Sequence, residues 1–173
     1  RGLEFTQLDV EMSFIDEEDI IRVIEPLYAR IVAQLKSVVV PVPFRRMTYA
    51  EMMSRYGTDR PDLRYGMELA DLGEAFAGTG FRAFASVISE GGVVKGFAAP
   101  GGSQLSRREL DELVHLSKER GAAGLVWMVV ESDGIRSPVE KHVTAEEARA
   151  AARATGAGPG DLLLIVADRA DRA

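Results

Sequence analysis

The chain contains no cysteine and no asparagine, and only two histidines. Without cysteine there is no disulfide, no thiolate zinc site and no cysteine nucleophile. That suits a reducing, cytoplasmic setting. His115 and His142 have no partner at ligand or triad spacing, so both read as structural or solvent-facing. No run of about 18 apolar residues exists, which leaves no membrane span. The acidic first helix does not resemble a signal peptide. The missing asparagine suits a heat-tolerant or high-GC source. A net charge of −6 and a pI near 5.1 argue against a general nucleic-acid coat, though local basic groups still allow RNA contact.

What is present suits one domain, or one domain plus part of another: 173 residues, 46% of them hydrophobic. A chain of this size buries about 70% of its unfolded surface and needs no staples. Between Glu4 and Phe14 polarity is sorted by parity. Phe5, Gln7, Asp9, Glu11 and Ser13 alternate with Thr6, Leu8, Val10, Met12 and Phe14. On a strand, successive side chains point to opposite faces, so the spacing predicts an apolar back and a chemically loaded front. Asp9 and Glu11 stand about 7 Å apart along such a strand, and Phe5 to Glu11 spans roughly 20 Å. An aromatic ring to stack on a base and two carboxylates for an ammonium or a metal-bound phosphate make a candidate site floor. A strand with one wet face is the competing reading.

Further along, Asp16 with Asp19 caps a helix whose apolar residues recur at helical spacing to about Lys36, with Pro26 expected to kink or divide it. Val38 to Pro43 reads as an edge or loop-like strand. Thr48 and Glu51 open a short helix that ends near Gly57. Residues 58–66 are polar and glycine-flanked, a linker or lid. From Met67 the pattern predicts strands over 81–88 and 93–99 joined as a hairpin through Ser89 to Gly92. It then predicts a helix from Ser106 to before Gly121, strands over 125–130 and 135–143, a helix from Thr144 to Gly156, and a strand over 162–167. The second half is thus α+β, a mostly antiparallel sheet with helices on it.

Other motifs are weaker. Gly78-Thr79-Gly80-Phe81-Arg82-Ala83 fits the dinucleotide fingerprint in letters, but it is expected to run into a strand and reads as a turn. Gly91, Gly92, Gly101 and Gly102 are read as turn residues. Trp127 reads as core. Arg107 and Arg108, unfavourably placed in a helix's first turn, are mild anion candidates. Arg60 and Arg64 suit either a phosphate backbone or a surface ion-pair cluster.

The Glu4–Phe14 stretch resembles the second half of motif 2 in aspartyl-tRNA synthetases, a class II family. Tyr56-Gly57-Thr58-Asp59-Arg60-Pro61-Asp62-Leu63-Arg64-Tyr65-Gly66 is similar to the Tyr-Gly-Ser-Asp-Lys-Pro-Asp-Leu-Arg-Phe-Gly signature of the bacterial-type enzymes. Residues 94–97, 99–102, 105–108, 123–127 and 137–141 resemble the GAD insertion domain, shared with subunits of tRNA-dependent amidotransferases. Asparaginyl and lysyl relatives differ at Gln7 and Asp9.

The resemblance implies an α+β chain: residues 1–66 as part of a class II antiparallel catalytic sheet, and 67–173 as a GAD-type α/β insertion domain. It implies ATP-dependent formation of aspartyl-adenylate and transfer of aspartate to tRNA-Asp, with ATP and Mg2+ as cofactors of the parent and none bound by the fragment. Phe5 is expected to stack on adenine. Gly2 occupies the family's ATP-contacting glutamine position. Gln7, Asp9 and Glu11 serve aspartate, Asp9 taking its ammonium. Motif 1, the start of motif 2, motif 3 and the anticodon-binding domain have no counterpart, so the fragment is expected to be inactive alone and to lack the parent's homodimer motif. Two alternatives stay open: a non-catalytic GAD-type module that binds tRNA or a protein partner, and a metal-dependent hydrolase built on Asp9 and Glu11.

Overall fold

The structure, a computed structural model, describes residues 4–170. Its contacts divide the chain into two compact units, Arg1–Met47 and Thr48–Ala173. The sequence places the division later, between residues 66 and 67. By contacts, the capped helix at Thr48 and the glycine-flanked stretch 58–66 fall in the second unit.

The first unit is built on α1 (Glu17–Lys36), a helix of 20 residues. Asp16 accepts the Asp19 amide, and the Asp19 carboxylate returns the bond to the Asp16 amide, so two orphan donors of the first turn are satisfied. Pro26 lies inside the helix and does not divide it. Beside it, the buried Glu25 accepts the Phe44 amide at 3.1 Å, which ties the following loop back onto the helix. Val38 to Pro43 form no strand. Residues 4–14 also differ from expectation: they form neither helix nor ladder. A strand is completed by backbone bonds to a neighbour, and among the described residues none pairs with this one.

The second unit begins with α2 (Tyr49–Tyr56), boxed by Thr48 and Glu51 and closed by Gly57 in the left-handed region at φ 67°. Its body is a five-stranded antiparallel sheet in the order β1-β2-β5-β3-β4, with strands β1 (Ala70–Asp71), β2 (Val93–Ala99), β3 (Val126–Val130), β4 (Ile135–Arg136) and β5 (Leu162–Asp168). Three helices pack on it: α3 (Arg82–Ser89), α4 (Arg107–Glu119) and α5 (Ala145–Thr155). Strand alternation sorts the core. Val94, Met128, Val130, Leu163 and Ile165 face Phe84 of α3 and Ala148, Ala151 and Ala152 of α5. Trp127, Val129 and Leu162 face Leu110 of α4.

Two elements correct the sequence reading. The strand expected over 81–88 is instead the helix α3, with Phe81 as its extended N-cap, so Glu90 to Gly92 close a helix rather than a hairpin. Phe81, Phe84 and Ile88 recur at helical spacing, and that period prevails over the β-leaning composition. The rings of Phe76 and Phe81 meet Phe84 edge-on at 4.8 and 4.9 Å. The strand expected over 135–143 stops at Arg136. There the Ser137 hydroxyl donates to the Trp127 carbonyl at 2.8 Å, taking the ladder's next acceptor, and Pro138 has no N–H with which to continue.

Gly96 sits at a crowded crossing of the sheet. A Cβ there would lie 2.8 Å from the Leu164 carbonyl oxygen and 2.9 Å from Leu72 Cδ1. Gly96→Ala is therefore expected to destabilise the second unit by about 1–3 kcal/mol through overpacking, read from urea unfolding. An unchanged midpoint would contradict the close approach.

Candidate functional site

The stretch predicted as a site floor is an extended, solvent-facing segment. Phe5, Gln7, Asp9 and Glu11 are all exposed, and Gly2 lies outside the described residues. One contact bears on the parity pattern: Gln7 Nε2 donates to Asp9 Oδ1 at 2.6 Å. Two side chains two positions apart meet only if both project to the same side, so the amide and the first carboxylate share a face. Orienting an acceptor by a neighbouring amide is a usual way to fix a carboxylate for an incoming cation. The even-numbered Leu8, Val10, Met12 and Phe14 are also exposed.

The second candidate stretch is held by its own charges. Tyr56 donates its hydroxyl to Glu68 Oε1 at 2.9 Å, and Arg55 grips the same carboxylate at 2.6 and 2.9 Å. Gly57 and Gly66, at φ 67° and 62°, bracket the loop where a side chain would be strained. Within it Asp62 accepts the Arg64 amide at 3.1 Å and pairs with Nε and Nη2 of the Arg64 guanidinium. This partly answers the two readings of Arg60 and Arg64: Arg64 is engaged by a carboxylate two residues away, and Arg60 makes no ion pair with a described residue.

Other candidates resolve into structure. Arg107 and Arg108 pair with Asp111 and Glu112 one turn on, so their anions are supplied by the helix itself. Trp127 is 3% exposed, with the Arg107 and Arg136 guanidinium groups 5.4 and 5.9 Å from its ring centroid. His115 is exposed and 3.6 Å from Glu119; His142 stacks on Phe81 at 6.1 Å. The stretch Gly78 to Ala83 runs into α3 rather than a strand, which corrects the reason given for discounting it. Yet α3 has only eight residues and no side-chain cap. The Phe81 amide bonds Thr79 instead, so the stretch is a turn. Among the described residues no group of three His, Asp or Glu is arranged to hold a metal ion.

One feature escaped the sequence reading: a cleft of about 470 Å³ between α5 and the β3–β4 connection, floored by Met128, Val143, Ala148 and Ala152 and rimmed by Arg149 and Arg153. Alanines one turn apart on α5 leave the room, a spacing that reads in sequence only as helix propensity.

The sheet, its register and its helices define an α+β domain. Residues 84–173 match the model of the GAD domain. The chain belongs to the GAD domain family. Over nearly its whole length it is also similar to bacterial ligases. It is 48% identical over 168 residues to the aspartate–tRNA(Asp/Asn) ligase of Moorella thermoacetica, covering 97% of this chain and 28% of the relative. The corresponding enzyme of Geotalea uraniireducens is 49% identical over 169 residues, covering 98% and 28%. That of Bacillus cytotoxicus is 45% identical over 170 residues, covering 98% and 29%. The chain thus spans under a third of the length of these relatives. No helix among the described residues is long and apolar enough to cross a membrane.

Arg64, through its guanidinium first and its backbone amide second, pulls the Asp62 carboxyl from 3.8 down to about 2. A depressed carboxylate contributes stability above its unfolded value and loses it as pH falls through the folded value. Titration of Asp62 by carboxyl NMR is expected to centre near 2, with the loop loosening between 3.8 and 2. Arg64→Ala should return the midpoint to the ordinary range. A wild-type midpoint already there would contradict the pairing.

Proposed function

We propose that this chain is a segment of an aspartate–tRNA ligase, which activates L-aspartate with ATP and passes it to tRNA-Asp. The observation that carries the reading is similarity over 97–98% of the chain to enzymes of that name, joined to the Gln7–Asp9 pair on the predicted site face. In this reading Phe5 stacks on adenine, and Asp9, oriented by Gln7, accepts the aspartate ammonium. Glu11 adds negative charge on the same side. The exposed carboxylates of Asp9 and Glu11 are hard oxygen donors that suit Mg2+ beside phosphate oxygens. When bound, the metal supplies charge neutralisation at the phosphates. Activation of this kind depends on positioning and on electrostatic stabilisation of the phosphoryl centre. None of these groups lies in the stretch 84–173 that matches the GAD domain.

Residues 4–14 support this reading through what they lack. A segment with an apolar side and no ladder is suited to pair with neighbours that the remaining length of such a ligase would supply. The chain alone is then inactive, and the parent is a homodimer whose dimer motif lies elsewhere. A non-catalytic module is the second reading, favoured by the GAD match over 84–173, which holds none of Phe5, Gln7, Asp9 or Glu11.

In a longer ligase containing this sequence, Asp9→Asn is expected to lower kcat/KM for aspartate about 100-fold or more and to leave KM for ATP little changed. Phe5→Ala should instead raise KM for ATP about tenfold. Equal losses for both substrates from either variant would contradict the division of roles. The 173-residue chain is expected to give no aspartate-dependent pyrophosphate exchange, and measurable exchange would overturn its inactivity.

A further inference from the structure

The sheet of the second unit is unequally clad. On one face α3 and α5 lie over Val94, Leu163 and Ile165; on the other, α4 alone covers Trp127, Val129 and Leu162. Strand register shows what α4 covers only in part, for Lys95, Phe97, Leu164 and Val166 are half-buried. Lys95 lies opposite Val166 and Phe97 opposite Leu164, on the face that α4 occupies further along. Together with Leu69, Leu125 and the end of α4 these residues line an apolar groove of about 240 Å³.

Its charge has one sign. Lys95 and Arg120 are the charged side chains of the lining. Neither makes an ion pair with a described residue. The cross-strand neighbour of Lys95 is Asp71, whose carboxylate accepts the Gly73 amide at 2.8 Å. Glu119, next to Arg120, lies 3.6 Å from His115. An apolar trough with two unspent cations is complementary to a segment that is apolar on one side and acidic on its flanks.

We propose that this groove docks an acidic amphipathic helix of a protein partner, laid beside α4. A helix fits better than an added strand because the backbones of β2 and β5 are already bonded to each other here, so the occupant contributes side chains. Protein fits better than nucleic acid because two cations on a chain of net charge −6 neutralise few phosphates. The inference concerns a different surface from residues 5–11 and does not depend on ligase activity.

The test uses the whole chain and a capped peptide of about 14 residues with leucine at helical spacing and glutamate elsewhere, beside a twin carrying lysine for glutamate. Amide shifts should gather at Phe97, Leu125, Leu164 and Val166, weaken with salt, and be absent with the lysine twin. Arg120→Glu, at the exposed C-terminal end of α4, should weaken the peptide at least tenfold, about 1.4 kcal/mol. Phe97→Ala should do the same with the charges intact. Equal binding of both peptides would overturn the proposal in favour of an indiscriminate apolar surface. So would binding of a short single-stranded RNA at Lys95 and Arg120 in the peptide's place, or self-association of the chain through Phe97.

Discussion

The second unit depends on the double pairing of one strand. β5 carries seven residues of ladder to β2 on one side and four to β3 on the other. Leu162, Leu163 and Ile165 have no exposed surface. Their side chains alternate between the two faces, so the same strand supplies both hydrophobic layers. Central placement also explains the turns around it. Asp161, at the start of β5, accepts the amides of Gly101 and Gly158 and binds the loops on both sides to the strand. Among its described residues the first unit has no such organising strand. It has a long helix, a tether at Glu25, and a leading segment without a ladder.

That contrast bears on function. In the GAD part, polar groups are largely satisfied within the domain: capping boxes open α4 and α5, and ion pairs occupy Arg107, Arg108 and Arg136. The leading segment has the reverse character, with apolar and ionisable groups both open to solvent. A site floor needs rigid neighbours to position its groups within fractions of an ångström. Among the described residues Asp9 has Gln7 for orientation and no ladder behind it. A unit organised by its own sheet and a leading segment without a ladder therefore share one chain.

Much of this was legible from residue order. Helices opened by Asp16, Thr48, Ser106 and Thr144 begin where the capping signals place them, because a cap is a local exchange of bonds between residues three apart. β2, β3 and β5 follow from apolar runs between turns. What misled was tertiary. Residues 81–88 are rich in aromatic and branched side chains, and their helical period was hidden until Phe76 and the sheet defined one buried side. The Ser137 hydroxyl's replacement of a ladder bond leaves no mark in composition. Of the candidate site, parity alone puts Gln7 and Asp9 on one side, whereas the two clefts arise from how α4 and α5 sit on the sheet and have no local signature.

The account rests on residues 5–11 gaining a defined strand position only within a longer ligase. Amide hydrogen exchange, followed in this chain and in a longer enzyme containing it, measures that directly. The account predicts near-unprotected exchange over 5–11 in the chain while β5 is protected. In the longer enzyme the same amides should be strongly protected. Protection over 5–11 as slow as that of β5 in the chain alone, or none in the longer enzyme, would contradict it.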